Sequence, residues 1–300
     1  MTSSRNTSLS RSVDRITGGI LGLCAMVSGG LVLILLCYLV SGAWPAIEAG
    51  RLGPFFTDEK WQPDSERDPR FGVAPMLVGS GLVTLLAVVL ALPVGLASAI
   101  FHRFYAPPAL ERWHRRMMEL LIGVPTVVFG FWGLVVVVPA IVRFAPDTPG
   151  QSLLAGGIVL GLMVLPLIAL TSQAALQAVP TSQLQAAAGL GLGRTRTILS
   201  IALPAARGGI AGGVVLGLAR AVGETMAVVL VCGNIPQVPQ SLFDPIRPIT
   251  STIALEMGYA TPSHKALLFC AALALVLGTA LVIGWVSVRK NASDPSTGGA

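Results

Sequence analysis

An all-α, polytopic membrane protein with six crossing helices is the fold class the sequence predicts, and three observations predict it. The 300 residues are 53% hydrophobic and 11% charged, with a mean hydropathy of +0.76, more apolar than a water-soluble core requires. Six stretches reach the roughly 20 apolar residues a helix needs to cross hydrocarbon: about 16–43, 74–101, 118–142, 152–176, 206–233 and 266–288. The basic residues are also shared unevenly between alternate connections. With the N-terminus inside, the inner ends and loops collect twelve Lys and Arg against seven outside, the bias that sets orientation. Both termini are then cytoplasmic, and the net charge of +6 reads as membrane orientation. No loop joins a basic cluster to aromatic residues, so no nucleic-acid partner is expected.

Taken in order, residues 1–15 read as a disordered cytoplasmic tail, Ser, Thr and Arg rich at its start. The membrane-crossing body runs over 16–288. Its first span is too long for a signal-peptide core and lacks a small-residue cleavage site, so it is expected to stay uncleaved. It ends at Trp44 and Pro45, an interfacial aromatic followed by a helix stop. The mixed charge and Trp61 of residues 45–72 fit either a contact with a partner protein or a solvated connector. Phe71 and Gly72 open the second span, which carries Pro75 and Pro93. His102 and His114 beyond it read as interface side chains, and no metal site is expected. Span three holds Pro125 and Pro139, and Pro166 interrupts span four. Such breakers are tolerated where neighbouring helices restore the lost backbone bonds, which favours helices bent around a pathway. The cysteines (24, 37, 232 and 270) lie in or beside spans without a C-x-x-C pair and read as packing residues. Residues 289–300 form a second cytoplasmic tail.

Residues 178–205 are too polar to cross, hold no acids and carry two arginines, so they are read as a cytoplasmic loop. Pro180 starts a helix there, and Ser182 with Gln185 has the S-x-x-Q spacing of a capping box. Gly189, Gly191 and Gly193 make a turn. A second helix then presents Ile198, Leu199, Ile201 and Leu203 as an apolar ridge until Pro204 ends it. Gln185, Ala186, Ala187, Gly191, Ile201, Leu203 and Pro204 stand in register with E-A-A-x3-G-x9-I-x-L-P, the coupling signature of bacterial ABC importer membrane subunits, with Gln185 in place of the leading Glu. The glycine-rich string GLGLGR follows no strand, and no G-x-x-x-x-G-K-[ST] occurs. This chain is therefore expected to bind no cofactor, ATP being used by partner subunits.

Span five, with glycines at 208, 209, 212, 213 and 217, carries Arg220 and Glu224 past its middle. Four residues apart on one helix, the two share a face. A charge at the centre of a membrane helix costs about 2.5–3.5 kcal/mol, so both need partners or water. Either they bond to each other and lock the bundle, or Arg220 faces the pathway and forks onto a tetrahedral oxyanion. Glu224 then orients the Arg, accepts a proton or repels fully ionised competitors. Between Asn234 and span six, ITSTIALEMG suggests a short helix against the outer mouth, with Ser251 and Thr252 as capping residues or hydroxyl donors to substrate.

FGVAPMLVGSGLVTLLAVVLALPVGLASAI, ELLIGVPTVVFGFWGL, the coupling loop and LGLARAVGETMAVVLVCGN together resemble the PstC-type permease of bacterial phosphate-specific ABC importers over roughly residues 15–290. The resemblance implies a six-span permease of the ABC importer type that translocates phosphate across the cytoplasmic membrane. It also implies a sister permease, two ATPase subunits and a periplasmic phosphate-binding protein, and it puts Arg220 and Glu224 on the phosphate path. Permeases for sulfate or molybdate share the coupling loop, and secondary anion transporters also use broken helices and midplane ions. An enzyme is not expected and no catalytic residue is assigned: His102, His114 and His264 lie in loops or at span ends, and no G-x-S-x-G occurs.

Overall fold

The computed structural model describes the backbone of residues 3–63 and 70–292 and, within it, the side chains of residues 17–63 and 70–284. Among the described residues six helices are long and apolar enough to cross a membrane: Thr17–Glu48, Ala74–Phe104, Thr126–Phe144, Leu153–Gln177, Arg194–Val222 and Pro262–Gly284. Six spans and the all-α class therefore stand as read, while several boundaries move for local reasons.

Helix α1 (Ser3–Glu48) begins where a disordered tail was expected and passes through Pro45 instead of stopping there. The stop is Gly50, at φ +66°. The Gly50 and Arg51 amides bond back to the carbonyls of Ile47 and Ala46, a left-handed C-terminal cap that glycine adopts at little steric cost. Beyond Gly50 the described residues form a cap with one buried and one solvent-facing side: Phe55 and Trp61 are buried, whereas Gly53, Glu59 and Lys60 are exposed. Helix α2 (Leu52–Thr57) leads into β1 (Trp61–Gln62), which pairs antiparallel with β2 (Arg70–Phe71). Phe55, Trp61 and Val73 are buried against Ile249, Leu267 and Leu268.

Helices α3 (Ala74–Phe104) and α7 (Leu153–Gln177) form the central pair. Ser152 starts α7 by accepting the Ala155 amide, which satisfies one of the free donors of a helix N-terminus. Between them, the expected third span at 118–142 divides. Helix α4 (Pro108–Gly123) ends before Pro125, whose ring forces Val124 to an extended ψ of 129°. The crossing segment follows as α5 (Thr126–Trp132), a π turn (Gly133–Val137) and α6 (Val138–Phe144). Residues 118–123 thus belong to an amphipathic helix whose half-buried side carries His114, Met117 and Met118.

The fifth span, expected at 206–233, is displaced the other way, toward the N-terminus, and crosses as Arg194–Val222. Helix α8 (Thr181–Gly189) is followed by α9 (Arg194–Thr197), a π turn (Ile198–Ala202) and α10 (Leu203–Val222) as one continuous rod. Pro204 was expected to end a helix and lies inside one. Both π turns are followed two residues later by proline, Pro139 and Pro204. A proline inside a helix donates no amide and its ring collides with the carbonyl four residues back. Widening the turn to an i→i+5 pattern moves that carbonyl aside and keeps the helix intact. After α10 the chain breaks, resumes as α11 (Met226–Val231) and crosses to α12 (Ile249–Glu256). Helix α13 (Pro262–Ala292) closes the bundle beside α1 and reaches into the segment read as a basic tail; the expectation for 293–300 falls outside the described residues.

Candidate transport site and coupling loop

The helix carrying Arg220 and Glu224 does not run through both. Helix α10 stops at Val222, Gly223 caps it by bonding to the Ala219 carbonyl, and Glu224 lies in the break before α11. Arg220, in the last turn of α10, is exposed. Neither a hydrogen bond nor an ion pair of the described residues engages its guanidinium, and the expected sharing of one helical face with Glu224 is corrected. Glu224 is 9% exposed and turns the other way. Its Oε1 accepts the amides of Thr225 at 3.1 Å and Ala227 at 3.3 Å, so the carboxylate is the N-terminal anchor of α11. Its backbone carbonyl accepts the Thr250 hydroxyl at 2.7 Å.

Helix α12 fits the short helix expected within ITSTIALEMG. Its first amide, of Ile249, donates to Ser80 Oγ at 2.9 Å, so a side chain of α3 caps it, not its own Ser251 or Thr252. Those two are buried. Thr252 donates to the Pro248 carbonyl, with Met76 Sδ 3.1 Å away. Ser251 Oγ has no partner among the described residues. Within this conformation neither hydroxyl opens to solvent, whereas the Arg220 guanidinium one helix away does.

The loop between α7 and α10 has the helix, turn, helix form. The capping box does not form: Pro180 occupies the N-cap of α8 and no side chain caps it, because the helix starts one residue before Ser182 and leaves that hydroxyl inside the first turn. Gln185 and Ala186 are exposed and Ala187 is buried. Gly191, at φ +76°, is the one glycine of the three whose conformation disfavours a side chain. Arg194 lies over the Tyr105 ring at 4.8 Å, which ties the turn to the end of α3. The apolar ridge divides. Ile198 is buried and Leu203 packs against Ala99, Leu176 and Ala206, whereas Leu199 points outward. Leu190 at the tip is 82% exposed. The π turn causes the division, since it rotates successive side chains away from the α period on which the ridge was drawn.

One cluster was not singled out from the sequence, and a second gathers the two histidines, His102 and His114, that were read there as interface side chains. Glu256, 2% exposed, accepts the Trp61 indole N–H at both oxygens (3.1 and 3.0 Å), Arg247 Nη1 at 2.6 Å and lies 3.0 Å from His264 Nε2. An acid alone in the apolar run IALEMG was the signal for it. At the far end of α3, Ser98 Oγ is 2.7 Å from His114 Nε2, and Gln173 Nε2 is 3.3 Å from His102 Nε2. Burial and the neighbouring His102 hold the His114 imidazole below its ordinary pKa. His102 and His114 are thus contacts between α3, α4 and α7, and among the described residues no group of three potential metal ligands assembles.

Residues 91–288, which include both the coupling loop and the break at Glu224, match the family described as binding-protein-dependent transport system inner membrane component. The chain belongs to this family. That membership disfavours the secondary-transporter alternative. The chain is 42% identical over 224 residues to the probable ABC transporter permease protein YqgH of Bacillus subtilis, a match covering 75% of this chain and 70% of that protein. It is 32% identical over 264 residues to the phosphate transport system permease protein PstC of Pasteurella multocida, covering 82% and 81%. Against the PstC of Haemophilus influenzae it is 32% identical over 272 residues, covering 84% and 85%. Among solved structures, an inward-facing MetNI methionine ABC transporter chain superposes with a TM-score of 0.55 at 19% identity, over 74% of this chain and 94% of that one. At that identity the likeness concerns the binding-protein-dependent permease fold alone.

Proposed function

We infer that this chain is the transmembrane subunit of an ATP-driven importer that carries inorganic phosphate across the cytoplasmic membrane. The observation that carries the reading is Arg220: a guanidinium without a protein partner among the described residues, at the end of a membrane helix, one turn before a break. Its fixed charge and forked donors suit a tetrahedral oxyanion. The relatives named as phosphate transport permeases make phosphate that oxyanion. Glu224 shapes the path by anchoring α11, and Ser251 and Thr252 reach substrate only if α12 moves.

The remaining parts follow the same reading. A sister permease completes the pathway, and a periplasmic phosphate-binding protein delivers to it. Two ATPase subunits grip the loop around Leu190 and hydrolyse ATP, with both termini of this chain on their side of the membrane. This chain itself performs no hydrolysis and holds no cofactor. Reconstitution with these partners and uptake of labelled phosphate test the assignment. Arg220→Gln is expected to abolish uptake while the complex still assembles; normal uptake by that variant removes the transport role of Arg220. Suppression of uptake by excess sulfate or molybdate identifies the alternative substrate.

A further inference from the structure

Helix α12 is pinned at both ends. At its C-terminal end Glu256 draws together three separate segments: Trp61 from the β hairpin, Arg247 from the approach to α12, and His264 from the first turn of α13. A buried carboxylate with this many donors holds its surroundings in one geometry, because every departure leaves a desolvated charge short of a partner. At its N-terminal end α12 is fixed to α3 through Ser80 and to the break through Thr250, whose hydroxyl meets the Glu224 carbonyl. Eight residues of helix span only about 12 Å, so α12 acts as a short strut between the capped end of the bundle and the start of α11.

Resting on the reading of Arg220 and Glu224 as the transport site, we propose that Glu256 is a positioning residue for that site. It locks α12 onto the hairpin cap and α13, and α12 in turn holds the break at Glu224 through Thr250. A displacement of the cap, which lies at the opposite end of α3 from the contact between Tyr105 and Arg194, then reaches the site through one rigid element.

Hydrogen exchange on the reconstituted complex in wild type, Glu256→Gln, Thr250→Val and the double variant tests this without requiring substrate. Glu256→Gln keeps the size of the side chain and removes its charge. Either single change is expected to raise exchange in residues 224–228 by about fivefold, the effect of losing one such bond. Because both act through α12, the double variant exchanges no faster than the faster single one; independent action multiplies to about 25-fold. Phosphate uptake by Glu256→Gln shows a raised KM with little change in maximal rate per assembled complex. Loosening confined to the cap and α13, with 224–228 and KM as in wild type, overturns the proposal. Should Glu256→Gln fail to assemble, Thr250→Val decides, since it leaves the Glu256 cluster untouched, and unchanged exchange at 224–228 is again fatal. If wild type takes up no phosphate while the exchange pattern holds, the substrate assignment fails and the strut stands.

Discussion

Gly130→Ala probes the site from behind. In α5, Gly130 faces α11 so closely that an added Cβ lies 2.8 Å from the Ala227 Cα and 2.9 Å from Leu230 Cδ1. Leu230 is able to rotate, but the Ala227 Cα is backbone and moves only with α11. Ordinary carbon contacts lie at about 3.5–4.0 Å, so α11 has to recede by about 0.7–1.2 Å. Overpacking of this kind costs about 1–3 kcal/mol, against which the replacement of glycine within a helix returns up to about 1 kcal/mol. A net loss of about 1–2 kcal/mol lowers the melting temperature of this chain by about 1.5–3 °C, the unfolding entropy being about 2.1 cal/mol/K per residue. The same displacement pulls the Ala227 amide from Glu224 Oε1, a bond already 3.3 Å long, so uptake falls more than stability alone predicts. Gly29→Ala, in α1 with nothing within 4 Å of its added carbon, is the matched control and melts at or above the wild-type temperature. Melting and uptake of Gly130→Ala equal to those of the control would refute the reasoning.

Leu190→Ser removes the exposed tip of the coupling loop; burying a leucine side chain is worth about 1.5–3 kcal/mol, so ATPase association measured by titration weakens about tenfold or more while the melting of the chain is unchanged. His114 gives a pH signature. Its folded pKa lies below the ordinary 6.5, so the unfolded chain takes up the proton first, and the stability from the neutral imidazole is complete above about pH 6.5 and lost as pH falls through the lowered value. Wild type therefore melts lower at about pH 5.5 than at pH 7.5, and His114→Gln, measured alongside, shows a smaller drop; an equal drop assigns the effect to other groups.

Much of the candidate site was legible because it is written in chemistry that has no place in hydrocarbon. Arg220 and Glu224 interrupt an apolar run, and the glycines and alanines of 185–204 keep a spacing independent of the surrounding fold. The link between the two charges was not legible. Sequence spacing assumes an unbroken helix, and the turn at Gly223 depends on α11 being held by α5 and by the Glu224 carboxylate. Glu256 was passed over for a related reason: its donors come from positions as distant as Trp61, 195 residues away, and separation of that order leaves no local pattern.

By itself the sequence determined that this chain crosses a membrane six times, where a Gly-punctuated loop leaves the spans and which charges interrupt the apolar runs. Hydropathy, proline and glycine act locally, so their consequences are readable without a fold. Tertiary structure alone decided that Pro139 and Pro204 sit behind π turns instead of ending helices, that Arg220 is left open while Glu224 is consumed by α11, and that Trp61 fastens the β1–β2 cap to α12. Each of these depends on which neighbour satisfies a backbone or side-chain polar group in a medium that offers no water, and that neighbour is chosen by packing across the bundle.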